Sequence, residues 1–294
     1  MSKSEKIPEK IPGRTIAFQG ASGAYSEMAC RGAYPKLTPL ACRTFADTFQ
    51  SVQDGAAALA MIPIENTIAG RVADIHHLLP DSGLHIVAEH FQRVNHHLLG
   101  VAGTEISDLT HVHSHIHALN QCRKLIQELG LKPVEHVDTA GAAADIAAAG
   151  DKTQGAIASE LAAETDGLVS LRAGIEDADH NTTRFVVMAA EPFDPGVDAE
   201  NTMTSFVFRV RNVPAALYKS LGGFATNGVN MTKLESYVDS AFVAAQFYAD
   251  AEGHPEQKAL KLALEELDFV THEIKILGVY TAHPFRLQQN GGED

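Results

Sequence analysis

Short apolar runs alternate with segments of helical periodicity from Thr15 to Ala189, and this alternation restricts the fold more than any other feature of the chain. Strands are predicted, in chain order, for TIAFQG, LAMIPI, LHIVAEHF, HHLLGVAG, LTHVHS, KPVEHVD, GAIAS and TRFVVMA. Helices are predicted for SGAYSEMACRGA, NTIAGRVADIHHLL, ALNQCRKLIQELG and TAGAAADIAAAG, with Asn66 as the N-cap of the second and a glycine ending each of the last two. Strands that alternate with helices are typical of an α/β sheet, so an α/β fold is predicted here.

A segment of turn-forming and acidic residues separates this region from a different pattern. Residues 190–202, AEPFDPGVDAENT, contain two prolines, one glycine and four acids without periodicity. The pattern that follows is strand TSFVFRV, helix PAALYKSLGGFATN, strand VNMTKLESYV, turn DS, strand AFVAAQFYAD, helix PEQKALKLALEEL and strand THEIKILGVY. The order β-α-β-β-α-β predicts a ferredoxin-like α+β unit. We predict a disordered leader at 1–14, an α/β domain at 15–190, a linker at 191–202, the ferredoxin-like domain at 203–286 and a tail at 287–294.

The composition disfavours several classes of partner. The chain has 23 Lys+Arg against 37 Asp+Glu, a formal net charge of −14, which argues against nucleic acid or an anionic membrane surface. No run approaches the ~18 apolar residues of a membrane helix, and the first residues lack an apolar signal core. The three cysteines lack a CxxC spacing, so neither a disulfide framework nor a zinc ribbon is predicted. A cytoplasmic location fits these observations best.

One predicted strand begins with an unusual polar cluster. The stretch HNTTRFVVM, residues 180–188, places Asn181, Thr182, Thr183 and Arg184 directly before four apolar residues. Arginine is seldom fully buried without a partner, so an anion is expected beside Arg184, either a carboxylate of the protein or a substrate. For Thr183 alone, the simpler explanation is that β-branched residues suit strands. For Arg184 alone, it is a surface ion pair.

Three other strand ends also carry polar groups. The glycine turn GASGAYSE, which includes Ser22, offers backbone N–H groups to an anion or is only a tight turn. PIENT places Glu65 and Asn66 at the carboxyl end of a strand, where open α/β sheets bind ligands. HVHSHIHALNQCR places Ser114 and Gln121 at a third strand end, with capping and solvent contact as the alternative.

The alternating histidines of HVHSHIH suggest a metal site as an alternative, because residues two apart share one face of a strand. The helix predicted from about Ala118 breaks that geometry, and no acid or cysteine lies in ligand register, so no metal is predicted. The four strand ends also lack a Cys–His pair and a Ser-His-Asp order. Their residues suit a dry pocket that positions an anion and helps a hydroxyl leave.

From about Thr15 to Arg286 the chain resembles the prephenate dehydratase family. GASGAYSE, PIENT, SHIHALNQC, DTAGAA and NTTRF occur in the family's order, and PAALYKSLGGFATNGVNMTKLES resembles an ACT regulatory domain. The resemblance implies a bilobal catalytic domain similar to periplasmic binding proteins, with the active site in the cleft between the lobes. It also implies conversion of prephenate to phenylpyruvate, with loss of water and carbon dioxide, in phenylalanine biosynthesis. Aromatisation drives this reaction, so no cofactor is expected.

The resemblance also implies roles for individual residues. Thr183 is tied to departure of the ring hydroxyl, and Arg184 is the candidate clamp for the carboxylate that is kept, because a guanidinium binds carboxylates bidentately. His115 and His117 remain alternative proton sources. The other predicted catalytic residues are Glu65, Asn66, Ser114 and Gln121, and the predicted substrate-binding residues are Phe185, Thr182, Ser22 and His115.

The C-terminal motifs depart from the family pattern. The family's GAL motif stands here as Ala215, Ala216 and Leu217, and its ESRP motif begins with Glu235 and Ser236 but continues as Tyr237 and Val238. These positions form the predicted allosteric site, with phenylalanine as the effector. In the catalytic part, Ile116 and His117 replace the family's Pro-Gln. ACT sheets generally pair with a second copy, so a homodimer or homotetramer is expected.

Two other functions remain open. Arogenate dehydratase performs the same chemistry on a substrate with an ammonium group, which Glu65 would match. A non-catalytic amino-acid sensor is the alternative from a different class, although a binder has no need of a hydroxyl directed at a leaving group.

Overall fold

The computed structural model describes residues 14–211, 213–238 and 244–289. The predicted leader lies outside the described residues except for Arg14, and so does the predicted turn DS at residues 239–240. The described chain forms two compact units: one contains residues 14–72 and 90–185, and the other contains residues 73–89 and the described residues from 186 onward. The domain boundaries predicted from the sequence remain a prediction.

Two α/β sheets occupy the chain up to Ala189. In chain order the elements are β1 (Thr15–Gln19), α1 (Tyr25–Ala33), β2 (Thr38–Cys42), α2 (Phe45–Gln53), β3 (Leu59–Asn66), β4 (Gly70–Arg71), α3 (Ala73–Leu78), β5 (His85–Arg93), β6 (His97–Gly100), β7 (His111–His115), α4 (Ile116–Gln121), α5 (Arg123–Glu128), β8 (Lys132–His136), α6 (Thr139–Ala149), β9 (Gln154–Ala158), α7 (Glu160–Asp166), β10 (Val169–Ala173) and β11 (Thr182–Ala189). The first sheet has the strand order β2-β1-β3-β11-β5, with β4 paired to β3, and the second has the order β10-β6-β9-β7-β8.

Parallel pairing places several strand ends at the same edge of each sheet. β1 pairs in parallel with β2 and β3, and β7 pairs in parallel with β8 and β9. The central strand β3 is buried on both faces from Leu59 to Ile62, as its continuous apolar run predicts. The polar residues that follow such strands therefore collect where the apolar runs end.

A third, antiparallel sheet follows the linker. Its elements are β12 (Thr202–Val210), α8 (Ala216–Thr226), β13 (Met231–Val238), β14 (Ala244–Glu252), α9 (Lys258–Val270) and β15 (Thr271–Thr281), and α10 (Pro284–Gln289) comes after them. The strand order is β13-β14-β12-β15, and Phe206 and Phe208 of β12 share one core with Phe224 of α8 and Leu260 of α9. The predicted fold class, a bilobal α/β region followed by a ferredoxin-like α+β unit, is confirmed. Helix α10 extends into the segment predicted as a tail.

Several local predictions were wrong or incomplete. The helix predicted over NTIAGRVADIHHLL is confined to α3, because Asn66 closes a turn and β4 pairs back onto β3 instead. The helix predicted over ALNQCRKLIQELG breaks at Cys122 into α4 and α5. Elements β2, α2, α7 and β10 were not predicted. None of the described helices is long and apolar enough to span a membrane.

Candidate active site

Asn66 and Thr183 meet at the edge of the first sheet, where β3 ends and β11 begins. Asn66 Oδ1 accepts hydrogen bonds from the backbone N–H groups of Ile68 and Ala69, at 2.9 and 2.8 Å. Its Nδ2 donates to Thr183 Oγ1 at 3.0 Å and to Asn181 Oδ1 at 2.8 Å. Backbone N–H groups only donate, so the atom that faces them must be the amide oxygen, and the orientation of the Asn66 amide is fixed.

This contact determines where the Thr183 hydroxyl hydrogen points. Thr183 Oγ1 accepts the hydrogen bond from Asn66, so its own hydrogen is directed elsewhere. Within the described part of the chain, that hydrogen has no acceptor. Because Thr183 is only half-buried, the hydroxyl can donate to a molecule that binds at this edge.

A chain of neutral side chains extends from Asn66 into the second sheet. Asn181 is fully buried, and its Nδ2 donates to Gln121 Oε1 at 2.8 Å. Gln121 Oε1 also lies 3.0 Å from His96 Nε2, and His96 Nδ1 lies 2.9 Å from the Tyr25 hydroxyl. We call these five residues, Asn66, Asn181, Gln121, His96 and Tyr25, the amide chain.

The far end of the amide chain is shielded from solvent. Burial lowers the pKa of His96, although the hydrogen bond with Gln121 and the Glu176 carboxylate act in the opposite direction. Burial also raises the pKa of Tyr25 well above its ordinary value, with a further contribution from Glu176. A neutral imidazole and a neutral phenol are therefore expected near neutral pH.

Arg184 is buried and paired with an acid of the protein. It is 3% exposed, and its Nη1 lies 3.1 Å from Glu65 Oε1. Of the two anions expected beside Arg184, the structure therefore shows a protein carboxylate. Successive strand residues point to opposite faces, which fits the contacts of Thr183 with Asn66 and of Arg184 with Glu65. A substrate that touches both Thr183 and Arg184 has to reach across the end of the strand.

Comparisons with known proteins identify the family. The family model for prephenate dehydratase matches residues 16–193. A bifunctional N-acyl-homoserine lactone acylase/prephenate dehydratase from Komagataeibacter europaeus is 54% identical, over 93% of this chain and 98% of that protein. The chain belongs to the prephenate dehydratase family. It is accordingly an enzyme of the dehydratase type, a carbon–oxygen lyase.

Two further relatives extend the comparison. Arogenate dehydratase/prephenate dehydratase 1 from Arabidopsis thaliana is 37% identical, over 90% of this chain and 71% of that protein. The solved structure of prephenate dehydratase from Arthrobacter aurescens in complex with L-Phe is 28% identical, with a TM-score of 0.82 over 91% of this chain and 89% of that one. The likeness therefore includes the ferredoxin-like unit as well as the two α/β sheets.

The glycine turn of the dehydratase is occupied by its own glutamate. Glu27 accepts hydrogen bonds from the Gly23 N–H at 2.8 Å and from the Ser22 hydroxyl at 3.0 Å. Burial would raise the pKa of Glu27, but the hydrogen bonds from Gly23, Arg31 and Ser22 outweigh burial, and the pKa lies below its ordinary value. In the turn for which anion-binding backbone N–H groups were predicted, the Gly23 N–H is thus satisfied within the protein, and Ser22 contacts Glu27.

The predicted pocket residues of the second sheet divide into two groups. Gln121 belongs to the amide chain. Ser114 is fully buried and donates to the Ile157 carbonyl at 2.6 Å, so the structure does not expose its hydroxyl to a ligand. His115 caps α4, and burial followed by the neighbouring His117 lowers the pKa of its imidazole.

Two further predicted residues lie in β11 itself. Thr182 is fixed by its main chain, because its N–H donates to Thr67 Oγ1 and its carbonyl accepts from the Thr67 N–H, both at 3.0 Å. Phe185 is a core side chain, 1% exposed. Neither side chain is joined to Thr183 by a hydrogen bond.

His96 and Tyr25 were not predicted from the sequence. Tyr25 begins α1 and His96 precedes β6, and the two are 71 positions apart. A histidine pair before an apolar run, as in NHHLLG, is the only local signal, and it does not indicate a partner.

The predicted allosteric residues lie at α8 and β13. Ala215 has a φ of 61°, a left-handed conformation in which the family's glycine fits without strain. Ala216 begins α8, and Leu217 is 36% exposed. Glu235 Oε1 lies 3.3 Å from Lys233 Nζ, and Ser236 is exposed.

Proposed function

We propose that the enzyme converts prephenate to phenylpyruvate, carbon dioxide and water in phenylalanine biosynthesis. The observation that carries the proposal is the contact between Asn66 Nδ2 and Thr183 Oγ1, which leaves the hydroxyl hydrogen of Thr183 for an external acceptor. Membership of the prephenate dehydratase family supplies the substrate class.

The reaction needs one proton and no redox partner. The bond between the ring carbon and its hydroxyl breaks, and the departing oxygen takes a proton to become water. The bond to the ring carboxylate breaks at the same time, carbon dioxide leaves, and its electron pair enters the ring. The ring becomes aromatic, and the side-chain carboxylate is kept.

Thr183 assists the departing oxygen. An aliphatic hydroxyl is a weak acid, but a hydrogen bond that strengthens as negative charge develops on that oxygen stabilises the transition state. Loss of one such donor costs ~10²- to 10³-fold in rate. The lowered pKa of His115 argues against this imidazole as the proton source, because it disfavours the imidazolium form, which is the form that acts as an acid.

Arg184 and Glu65 bear on the choice of substrate. A guanidinium has five N–H donors, so the contact with Glu65 does not by itself prevent Arg184 from holding the kept carboxylate. Arogenate would place an ammonium group beside that carboxylate and would require an acid to pair with it. The Glu65 carboxylate already compensates a buried arginine, which favours prephenate.

The ferredoxin-like unit is proposed to be an ACT domain that binds phenylalanine and pairs with a second copy. The L-Phe complex of the Arthrobacter aurescens enzyme supports an effector of this kind. The sequence departs from the family motifs at residues 215, 237 and 238, so the affinity for phenylalanine has to be measured. A homodimer or homotetramer and a cytoplasmic location remain predictions.

A side-by-side assay tests the proposal. Purified protein is incubated with prephenate or arogenate, each with and without phenylalanine, and keto acid and amino acid products are quantified. We expect turnover of prephenate, slower turnover of arogenate, and a change in rate on addition of phenylalanine. Faster turnover of arogenate would favour the second candidate, and no turnover of either substrate would favour an amino-acid sensor.

A further inference from the structure

The hydrogen bonds of the amide chain converge from both ends on Gln121 Oε1, and the donor and acceptor of each bond follow from a single origin. The Ile68 and Ala69 N–H groups fix the amide oxygen of Asn66 on their side. Asn66 therefore presents N–H to Asn181, which must answer with Oδ1. Asn181 then presents Nδ2 to Gln121, which must answer with Oε1.

The orientation of the Gln121 amide determines the tautomer of His96. Because Gln121 turns its oxygen toward His96, the Nε2 atom of the imidazole must carry a hydrogen. In a neutral imidazole the Nδ1 atom is then an acceptor for the Tyr25 hydroxyl, 2.9 Å away. The Asn95 carbonyl accepts from the same hydroxyl at 2.8 Å, so the two acceptors share its one hydrogen.

We propose that Asn181 and His96 are positioning residues of the dehydratase: they hold the Gln121 amide oxygen between them, and they keep in place the Asn66 amide, whose orientation leaves the Thr183 hydroxyl as a donor. This inference rests on the proposed function for its effect on rate. The direction of the hydrogen bonds stands on the geometry alone.

The direction matters because its reversal would misdirect Thr183. If Asn66 presented an acceptor to Thr183, the hydroxyl would donate to that acceptor and lose its hydrogen bond to the departing oxygen. Asn66 Nδ2 has two hydrogens: the contact with Asn181 takes one of them, and the other faces Thr183 Oγ1 at 3.0 Å and the Thr182 carbonyl at 3.3 Å. Asn181 and its neighbours thus determine how firmly the Asn66 amide is held.

The groups around His96 are known. Glu176 accepts from the His96 backbone N–H at 2.9 Å, and His97 opposes protonation of His96. Tyr25 and Gln121 contact the two ring nitrogens. Since burial lowers the pKa of the imidazole, measurement at pH 7.5 observes the neutral ring and its tautomer directly.

The first test is spectroscopic and does not depend on activity. The full chain, labelled with ¹⁵N at its 15 histidines, is examined by two-bond ¹H–¹⁵N spectra, which distinguish a protonated ring nitrogen from an unprotonated one. The His96→Gln variant assigns the His96 signals by their loss. We expect hydrogen on Nε2 and none on Nδ1, and the opposite tautomer would overturn the inference.

The Asn181→Asp variant tests whether a change at Asn181 alters the tautomer of His96 through the Gln121 amide. A carboxylate at this position presents an acceptor to Gln121, so the Gln121 amide should turn its N–H₂ toward both neighbours. His96 Nε2 would then have to accept, and the imidazole should change to the Nδ1–H tautomer. If the variant is folded by circular dichroism and His96 keeps its wild-type tautomer, transmission through Gln121 is refuted.

The second test compares steady-state rates on prephenate. His96→Gln keeps an N–H near the position of Nε2, whereas His96→Asn keeps only a group near Nδ1. We expect kcat of His96→Gln to stay within ~3-fold of wild type and kcat of His96→Asn to fall ~10-fold with a smaller change in KM, as loss of one buried hydrogen bond suggests.

His97→Gln is the matched control, because the neighbouring His97 bonds to Ser170 Oγ and not to the amide chain. We expect its kcat to stay within ~2-fold of wild type. Equal rates for all three histidine variants would overturn the positioning role. A wild-type enzyme that does not act on prephenate would instead contradict the proposed function, and the spectra would still decide the direction of the hydrogen bonds.

Discussion

Two buried polar networks of this chain are built on different principles. The amide chain, in the unit of residues 14–72 and 90–185, joins neutral side chains one hydrogen bond at a time. The second network, in the other unit, is ionic: Arg286 binds Glu89 through Nε and Nη2 at 2.6 and 2.9 Å. Asp250 Oδ2 lies 4.0 Å from the same guanidinium.

The ionic network is a centre of stability. The Glu89 and Asp250 side chains are fully buried, and the Ser205 and Tyr248 hydroxyls donate to Asp250 Oδ1 at 2.5 and 2.7 Å. Charges buried in this way require their partners, because an uncompensated buried charge is costly. The network therefore fixes α10, which carries Arg286, against β5, which carries Glu89.

The neutral network determines orientation instead. Each amide in it has a donor side and an acceptor side, so the network carries direction as well as position. A catalytic hydroxyl needs such direction, because a donor that points the wrong way contributes nothing to the transition state. The comparison therefore separates two roles, stability from buried charges around Arg286 and, in our proposal, orientation from the neutral amides beside Thr183.

Removal of the cation should produce the largest loss of stability. Arg286→Ala leaves the fully buried Glu89 carboxylate without its guanidinium, and we expect the free energy of unfolding to fall by ~3–5 kcal/mol. Denaturant unfolding measures the loss. Lys261→Ala is the control, because its ion pair with Glu256 is exposed and should be worth less than ~1 kcal/mol. Equal losses in the two variants would contradict the claim that the buried ionic network stabilises the fold more than an exposed ion pair does.

Addition of a methyl group at Gly23 should produce the next largest loss of stability. It should also disturb the neutral network, because Tyr25 follows Gly23 by two residues. A Cβ at Gly23 would lie 2.7 Å from Ala162 Cα, and the residue has a φ of 87°. We expect Gly23→Ala to lower the free energy of unfolding by ~2–4 kcal/mol and to reduce kcat.

Gly55→Ala is the matched control for that variant. Gly55 has a φ of 72° but nothing within 4 Å of the added Cβ, so only backbone strain of ~1 kcal/mol is expected, with kcat unchanged. If the two alanine variants lose equal stability, the close approach of Gly23 to Ala162 has no energetic consequence.

As the pH falls, protonation of His96 in the neutral network should lower the free energy of unfolding before protonation of Glu27 does. The pKa of His96 is lowered from its ordinary 6.5, so the unfolded state binds more protons below pH 6.5 and stability falls as the pH drops through that value. The lowered pKa of Glu27 acts only below its ordinary 4.5.

The His96→Gln variant isolates this contribution. Between pH 7.5 and 5 its free energy of unfolding should fall less than that of the wild type, while the contribution of His115 is common to both. Denaturant unfolding at several pH values measures the difference, and parallel curves would show that His96 is not held neutral by burial.

A gain of stability outside both networks should be the smallest effect. Ala215 occupies a left-handed conformation that favours glycine, so Ala215→Gly should raise the free energy of unfolding by up to ~1 kcal/mol. This variant changes the stability of the second unit without altering its ionic network, and it should leave kcat unchanged. Thermal unfolding together with the prephenate assay provides both values, and a fall in stability would show that the strain at Ala215 is relieved by other contacts.

The sequence predicted the architecture because the relevant patterns are local. Apolar runs and helical periodicity revealed most strands, and the order of elements after the linker predicted the ferredoxin-like unit. Asn66 shows where local reasoning fails, since an asparagine after a strand suits a helix N-cap as well as the turn that it actually closes. Ser114, a predicted pocket residue, instead donates to the Ile157 carbonyl, and Glu27 accepts from the Gly23 N–H in the predicted glycine turn.

The site itself depends on contacts between distant residues. Asn66 and Thr183 are 117 positions apart, and Asn181 and Gln121 are 60 apart. The family motifs identified Asn66, Gln121 and Thr183 as candidates, but only the fold shows which atom of each side chain faces which neighbour. His96 and Tyr25 were missed because nothing near them in the sequence indicates that they contact each other or that His96 contacts Gln121.

The central claim is that the Thr183 hydroxyl, oriented by Asn66, assists departure of the ring oxygen, and kcat for prephenate in Thr183→Ala and Thr183→Ser tests it most directly. We expect Thr183→Ala to lower kcat by ~10²- to 10³-fold with little change in KM, and Thr183→Ser, which keeps the hydroxyl, to retain most of the rate. A Thr183→Ala enzyme with near-normal kcat would contradict the account.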